Sequence, residues 1–284
     1  MTQLSPPAHP IRFVSEAAAL LDLCWRMGWN EANGGNFSWR LPTGEARDLL
    51  ARAFPGLTPD VEGPLPTAHP TLDGELFLVT GSGQNFRHAV DRPDQVFAIV
   101  EIVADGTAWR RLWGFTAGAR PTMEFPTHLE GHAVRKRVSG GRERIILHAH
   151  VPELVVLSYI AGMDGPTLTR ALWEKMPECL VLFPDGIRIV PPLMPSTVEI
   201  AEASAEALEM SRVILWSHHG IFVSEESPDK AFSLVETIEK AAAMHRKMLS
   251  LGVPVAPVPP AFLRQLADQL GNIMVCRPEG LDDH

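Results

Sequence analysis

The 284-residue sequence contains few cysteines and no pattern that would pair them. Cys24, Cys179 and Cys276 are odd in number, lie far apart and lack Cys-x-x-Cys spacing. This argues against a disulfide framework and against a zinc site built from thiolates, and it is typical of a protein in a reducing compartment. We therefore expect a cytoplasmic protein.

Long apolar runs and long basic runs are also absent. No stretch reaches the roughly 18 apolar residues of a membrane-spanning helix, and residues 1–10 lack the pattern of a signal peptide. The formal net charge is -9, and the longest basic run is Arg135-Lys136-Arg137. We therefore expect neither a membrane nor a nucleic acid as partner, whereas a local pocket for one phosphate is compatible with this charge.

The residues that are present predict strands and helices in an irregular alternation. Hairpins mixed with helices, without regular β-α-β units, favour an α/β protein with a mainly antiparallel central sheet. The predicted strands cover residues 37–41, 76–80, 96–103, 109–113, 145–150, 179–183, 187–190, 213–216 and 221–223. The predicted helices cover residues 11–28, 47–54, 126–138, 152–161, 167–176, 196–210, 228–251 and 261–270. We expect three α/β/α layers.

Some segments carry more specific expectations. The strand at 37–41 alternates apolar with polar residues, which predicts a half-buried strand, and the turn Pro184-Asp185-Gly186 predicts a hairpin. Residues 42–74 are rich in proline, glycine and threonine and are expected to form a surface loop excursion, while 253–284 form a proline-rich linker and tail. Because 42–74 shows no boundary, we expect one domain over residues 1–284.

Two histidines close the predicted strand at 145–150. His148 and His150 are one residue apart, so in a strand they point to the same face and can share one metal ion. A third candidate ligand, His219, lies in Trp216-Ser217-His218-His219-Gly220. Histidines in an apolar segment can instead be core residues that satisfy their nitrogens locally, and the pair alone does not decide between the two interpretations.

Two glycine-rich turns can bring backbone N–H groups close to an anion. They are Asn33-Gly34-Gly35-Asn36 and Gly81-Ser82-Gly83, where asparagine and serine add donors for a phosphate. Tight-turn glycines with a local asparagine cap are the simpler alternative. Neither turn matches the dinucleotide fingerprint or the P-loop, so a nucleotide is not implied.

Glu124 lies between Met123 and Phe125, just ahead of the predicted helix at 126–138. Apolar surroundings would raise its pKa and suit it to general acid–base catalysis, whereas a solvated glutamate at a helix start is the alternative. On that helix, His128 and His132 have the i, i+4 spacing of metal ligands, but they can also pack on the sheet or orient the site.

Taken together, these segments resemble the class II aldolase and adducin family. The likeness runs in the same order from about residue 11 to 250, which is more specific than any single motif. The segments that carry it are Gly28-Trp29-Asn30-Glu31-Ala32-Asn33-Gly34-Gly35-Asn36, Val79-Thr80-Gly81-Ser82-Gly83, Glu124-Phe125-Pro126-Thr127-His128, His148-Ala149-His150, residues 172–186 and His219-Gly220.

The resemblance implies a role for each matching residue. It implies one zinc ion per subunit bound by His148, His150 and His219, with Glu124 as acid/base and Glu178 as a second carboxylate supplied by a neighbouring subunit. It also implies a homotetramer with sites at subunit interfaces. The residues expected to hold the substrate phosphate are Asn33, Gly35, Asn36, Ser82 and Gly83.

The implied reaction is cleavage of L-rhamnulose 1-phosphate into dihydroxyacetone phosphate and L-lactaldehyde through a metal-stabilised enediolate. The stretch 172–186 favours this substrate. Alternatives within the family are a fuculose-phosphate aldolase, a pentulose-phosphate epimerase or a thioribulose-phosphate dehydratase, and a non-catalytic adducin-like binding module is a further one. Met123 and Gln84 depart from the family pattern, which places a small hydroxyl residue and a lysine there.

Overall fold

The structure is a computed structural model, and it describes residues 9–271. Within this range nine strands form one sheet in the order β2-β5-β4-β3-β1-β6-β9-β8-β7. All neighbouring strands are antiparallel except β7 and β8, which are parallel. The strands are β1 (Asn36–Arg40), β2 (Glu62–Pro64), β3 (Leu76–Thr80), β4 (Phe97–Val103), β5 (Ala108–Gly114), β6 (Ile145–Ala149), β7 (Arg188–Val190), β8 (Val213–Trp216) and β9 (Gly220–Glu225).

Helices surround this sheet, and polar caps begin two of the longer ones. Ser227 accepts a hydrogen bond from the Lys230 N–H, and Thr197 accepts one from the Ile200 N–H. The helices are α1 (Arg12–Arg26), α2 (Thr43–Ala53), α3 (Pro93–Val96), α4 (Phe125–Val138), α5 (Pro152–Leu157), α6 (Gly165–Trp173), α7 (Glu178–Leu182), α8 (Val198–Met210), α9 (Pro228–Leu249) and α10 (Pro260–Leu270). No helix in the described range is both long and apolar enough to span a bilayer.

Alternating side chains of the central strands belong to two different cores. On β6, Ile145 and Leu147 pack with apolar residues of α1, α5, α6 and α9 on one face of the sheet. Ile146 packs with residues of α8 on the opposite face, where α4 also lies. This burial on both sides confirms the predicted α/β/α layers with a mainly antiparallel sheet.

The predicted strand at 179–183 is wrong, because Glu178–Leu182 is the helix α7. Cys179, Leu180 and Phe183 are buried while Val181 and Leu182 are exposed, which is the spacing of one helical face. A short apolar run does not distinguish strand from helix by itself. The predicted hairpin at 184–186 is therefore wrong as well, and β7 pairs in parallel with β8 instead.

Two further expectations need correction. Within the excursion at 42–74 the predicted helix at 47–54 is present as α2, but the segment expected to be loop also contains β2, which pairs with β5. The strand predicted as half-buried is buried along its whole length, including Ser38 and Arg40, because β1 lies between β3 and β6 in a sheet covered on both faces. Cys276 and the rest of the predicted tail beyond 271 lie outside the described residues.

The cap of α9 gives a test of helix stability. The change Ser227→Ala removes the oxygen that accepts the Lys230 N–H, and we expect it to lower the free energy of unfolding by about 1 kcal/mol. Ser227→Asp keeps an acceptor at this position and should retain stability close to that of the wild type. Urea unfolding of the three proteins measures this, and an equal loss in both variants would contradict the capping role.

Candidate metal centre and active site

Three histidines meet where β6 ends. His148 lies on β6, His150 follows it directly, and His219 lies in the turn that joins β8 to β9. Because Ala149 of β6 pairs with Ile221 of β9, this turn lies beside the end of β6. Each of the three side chains offers a ring nitrogen within 4.8 Å of the others, so the group can hold one metal ion.

His148 is the most buried of the three, with 1% of its surface exposed. Its Nδ1 lies 2.9 Å from the carbonyl oxygen of Ile221, so Nδ1 carries the proton and Nε2 keeps its lone pair. Nε2 is buried and has no hydrogen-bond partner among residues 9–271. Burial, together with the nearby His150 and His219, holds the pKa of His148 well below its usual range. A neutral imidazole with an unpaired buried nitrogen fits a metal ligand.

Glu31 contacts the second histidine, although its place in the sequence did not mark it as a ligand or a catalytic residue. Its Oε1 lies 2.9 Å from Nδ1 of His150, which leaves Nε2 of that ring for a metal. The His150 backbone N–H also donates to the Trp29 carbonyl oxygen, so the loop after α1 is attached to the end of β6. The available signal was the position of Glu31 next to the Asn33-Gly34-Gly35-Asn36 turn.

Gly220 allows the β8–β9 turn to approach the histidines. A Cβ atom at this position would lie 2.5 Å from the Ala149 carbonyl oxygen and 2.9 Å from Cε1 of His148. Gly35 likewise allows the turn before β1 to approach β6, since a Cβ there would lie 2.7 Å from the His148 carbonyl oxygen. A side chain at either glycine would therefore displace the backbone that surrounds the histidines.

Glu124 points toward the histidine group from the start of α4. The residue is 8% exposed, and its Oε2 lies 3.9 Å from Nε2 of His148. Asn36 Nδ2 donates a hydrogen bond of 2.7 Å to the same oxygen. Burial raises the pKa of Glu124 above its usual value, although the Asn36 hydrogen bond opposes this shift. The carboxyl group is thus poised to exchange a proton beside a candidate metal.

Both predicted glycine turns lie at the ends of strands around this centre. Asn36 begins β1 and pairs with His148, while the Phe37 N–H donates to Oγ1 of Thr80 at the end of β3. The turn that begins at Gly81 follows β3 directly, and the Ser82 N–H donates to the Arg120 carbonyl oxygen in the segment that leads to Glu124. Asn33, Ser82 and Gly83 are exposed.

The structure separates other predicted residues from the histidine group. Glu178 is exposed at the first position of α7, and within the described residues of one chain it makes no hydrogen bond or ion pair with the three histidines or Glu124. Met123 is 68% exposed. His128 and His132 are buried in α4, and both contact Ser38.

The chain matches known proteins in sequence and in fold. Residues 15–246 match the model of the Class II Aldolase and Adducin N-terminal domain. A rhamnulose-1-phosphate aldolase from Yersinia pestis (strain Pestoides F) is 42% identical over 228 residues, which cover 80% of this chain and 82% of that protein.

Solved structures show the same architecture. A sugar-phosphate aldolase from Thermotoga maritima superposes with a TM-score of 0.71 at 27% identity, covering 86% of this chain and 97% of the other. An L-fuculose-1-phosphate aldolase from Thermus thermophilus has a TM-score of 0.55 at 21% identity, covering 86% and 99%, and shows the fold alone. With the family model matching most of its length, the chain belongs to the class II aldolase and adducin family.

Proposed function

We propose that this protein is a zinc-dependent lyase that cleaves L-rhamnulose 1-phosphate into dihydroxyacetone phosphate and L-lactaldehyde. The observation that carries the proposal is the unpaired, buried Nε2 of His148, which faces Glu124 within a group of three histidines. The 42% identity to a rhamnulose-1-phosphate aldolase supports the choice of substrate. A non-catalytic binding module would not need this histidine group beside a buried carboxyl.

Zinc is the proposed metal because the three protein ligands are imidazoles. Three nitrogen ligands suit a tetrahedral zinc ion and leave one coordination position open. Because these ligands are neutral, the ion keeps its full positive charge. When bound, zinc supplies Lewis-acid stabilisation of the negative charge that develops on the oxygens of the hydroxyketone as the carbon–carbon bond breaks.

Glu124 is the proposed acid/base. Its raised pKa favours a carboxyl that holds a proton near neutral pH more often than an ordinary glutamate does. In the cleavage direction the carboxyl would donate its proton to the carbon from which the aldehyde has left. In the synthetic direction the carboxylate would remove that proton. Glu178 of a neighbouring subunit would handle the proton of the aldehyde oxygen, which requires the homotetramer.

The phosphate would bind at the two glycine turns. Asn33, Gly35 and Gly83 offer backbone N–H groups, and Asn33 and Ser82 offer side-chain donors, before the start of β1 and after the end of β3. The Asn36 side chain already donates to Glu124, so we assign it to the carboxyl rather than to the phosphate. The two buried cysteines within the described range, Cys24 and Cys179, are free, which suits the cytoplasm as the proposed location.

The proposed reaction is tested by product release. Purified protein should contain about one zinc ion per chain and should release dihydroxyacetone phosphate from L-rhamnulose 1-phosphate, detected in a coupled reduction assay. A chelator should abolish release, and added zinc should restore it. L-fuculose 1-phosphate is the control substrate. Faster release from it, or release that survives complete metal removal, would contradict the proposal.

Variants separate the metal ligand from the acid/base. Glu124→Gln should retain zinc but lower kcat by roughly 10²- to 10⁴-fold, because a positioned proton donor contributes that much to catalysis. His150→Ala should lose zinc, because two imidazoles bind it far less tightly than three. Metal content per chain and kcat are measured on the same preparations. Equal zinc loss in both variants would make Glu124 chiefly a ligand.

A third variant tests the approach of the β8–β9 turn. In Gly220→Ala the new Cβ would meet the Ala149 carbonyl oxygen at 2.5 Å, so the turn that carries His219 must move. We expect zinc affinity to fall by roughly 10- to 100-fold, as it does when the support of metal ligands is disturbed. Gly44→Ala is the control, because a Cβ there would have no atom of the described residues within 4 Å. Zinc titration against a competing chelator measures both, and equal affinities would refute the steric argument.

A further inference from the structure

Behind Glu124, buried polar side chains form one continuous hydrogen-bonded row. Asn36 contacts Glu124 through Nδ2 and makes a short hydrogen bond through Oδ1 with Nε2 of His128. Nδ1 of the same ring lies 2.7 Å from Oγ of Ser38, which lies 2.8 Å from Nε2 of His132. Ser38, His128 and His132 are fully buried. The row thus runs from the candidate acid/base into the space between the sheet and α4.

The chemistry of each member determines the direction of the next hydrogen bond. Asn36 donates through Nδ2 to a carboxylate, so its Oδ1 must accept from an Nε2–H of His128. The other nitrogen of neutral His128 then has only a lone pair, and the Ser38 hydroxyl must donate to it. The Ser38 oxygen in turn accepts from an Nε2–H of His132. Both imidazoles therefore carry their proton on Nε2.

The reverse direction is less favourable at both ends. It would turn the Asn36 carbonyl oxygen toward Glu124, and two acceptor oxygens would face each other whenever the carboxyl group is ionised to act as a base. At the far end, Nδ1 of His132 has no hydrogen-bond partner in the range that the structure describes. In the forward direction this nitrogen is an unpaired acceptor, whereas in the reverse direction it would be an unpaired buried N–H, which is rarer in proteins.

The row does not serve as a proton path or as a second metal site. A proton path needs an exit, and the row ends at the buried and unpartnered Nδ1 of His132. An amide such as that of Asn36 is also a poor carrier of protons. A metal site needs free lone pairs, and the facing nitrogens of His128 and His132 are both used by hydrogen bonds to Ser38.

We propose that Ser38, His128 and His132 are positioning residues that hold the Asn36 amide with its NH2 group on Glu124. This inference rests on the proposed function, in which Glu124 is the acid/base. Burial lowers the pKa of His128 to about 3 and that of His132 well below its usual range, so both rings are neutral, as the row requires. The row makes Asn36 a fixed donor without placing a charge beside the candidate metal site.

The sheet offers a matched control for Ser38. Ser38 of β1 pairs with Ile146 of β6, and Ile146 pairs with Ser224 of β9 on its other side. The two serines therefore lie in one line across the sheet, and both are buried. Within the described part of the chain the Ser224 hydroxyl has no hydrogen-bond partner, so Ser224→Ala removes a buried hydroxyl without touching the row. Comparison with Ser38→Ala separates the row from general effects of packing.

A second pair of variants changes the far end of the row. His132→Leu removes the donor to Ser38, while His132→Gln retains an N–H donor near the position of Nε2. His132 does not contact Glu124, so an effect on turnover must pass through Ser38, His128 and Asn36. Recovery in the glutamine variant would distinguish a lost hydrogen bond from a damaged core.

We expect Ser38→Ala and His132→Leu to lower kcat roughly tenfold, the equivalent of one hydrogen bond to a charged group. KM and zinc content should stay within about twofold of wild type, because phosphate and metal contacts are made elsewhere. His132→Gln should recover most of kcat, and Ser224→Ala should match wild type. Loss of kcat in Ser224→Ala equal to that in Ser38→Ala, or no loss in either, would overturn the proposal.

A measurement independent of activity tests the direction of the row. ¹⁵N-histidine NMR distinguishes protonated from unprotonated ring nitrogens, and the resonances of His128 and His132 are assigned by their loss in variants. Both rings should carry the proton on Nε2 in the wild type. A proton on Nδ1 of His128 would overturn the inference. A wild-type protein without aldolase activity would overturn the proposed function, and the NMR result would still decide the orientation of Asn36.

Discussion

The pairing of β6 with β1 on one side and β9 on the other determines where the candidate site lies. Through the first pairing Asn36 faces His148, and through the second the turn with His219 reaches the end of β6. Asn36, His148 and His219 are far apart in sequence, and the register of the sheet brings them together. A shift by one residue would turn His148 to the opposite core.

A sheet covered on both faces imposes a second constraint. Its central strands have no contact with solvent, so each polar side chain on them needs a partner inside the protein. Arg40 meets this requirement with Glu75 and backbone carbonyls, and Ser38 meets it with two histidines of α4. Nε2 of His148 finds no such partner among the described residues, and a metal ion bound at that point, beside Glu124, would supply one.

The sequence was sufficient where local chemistry determines structure. The spacing of His148 and His150 at the end of an apolar run predicted β6 and the shared direction of the two rings, and the Ser227-Pro228 pair predicted the start of α9. It was insufficient where tertiary contacts decide. Residues 178–182 are too short and too apolar to distinguish strand from helix, and their packing against α9 and α10 makes them helical.

The same limit explains which site residues the sequence missed. Glu31 lies near a glycine-rich turn and Ser38 lies in a predicted strand, but neither position indicates a partner. Their importance comes from contacts with residues about a hundred positions away. Asn36, by contrast, was predicted as a site residue but for a different partner, since its place in a glycine-rich turn suggested a phosphate contact. Its side chain is instead directed by β1 into the interior, because as the first residue of the strand it shares the face of His148. Whether an asparagine in such a turn meets solvent or a catalytic carboxyl depends on strand register, which only the folded sheet determines.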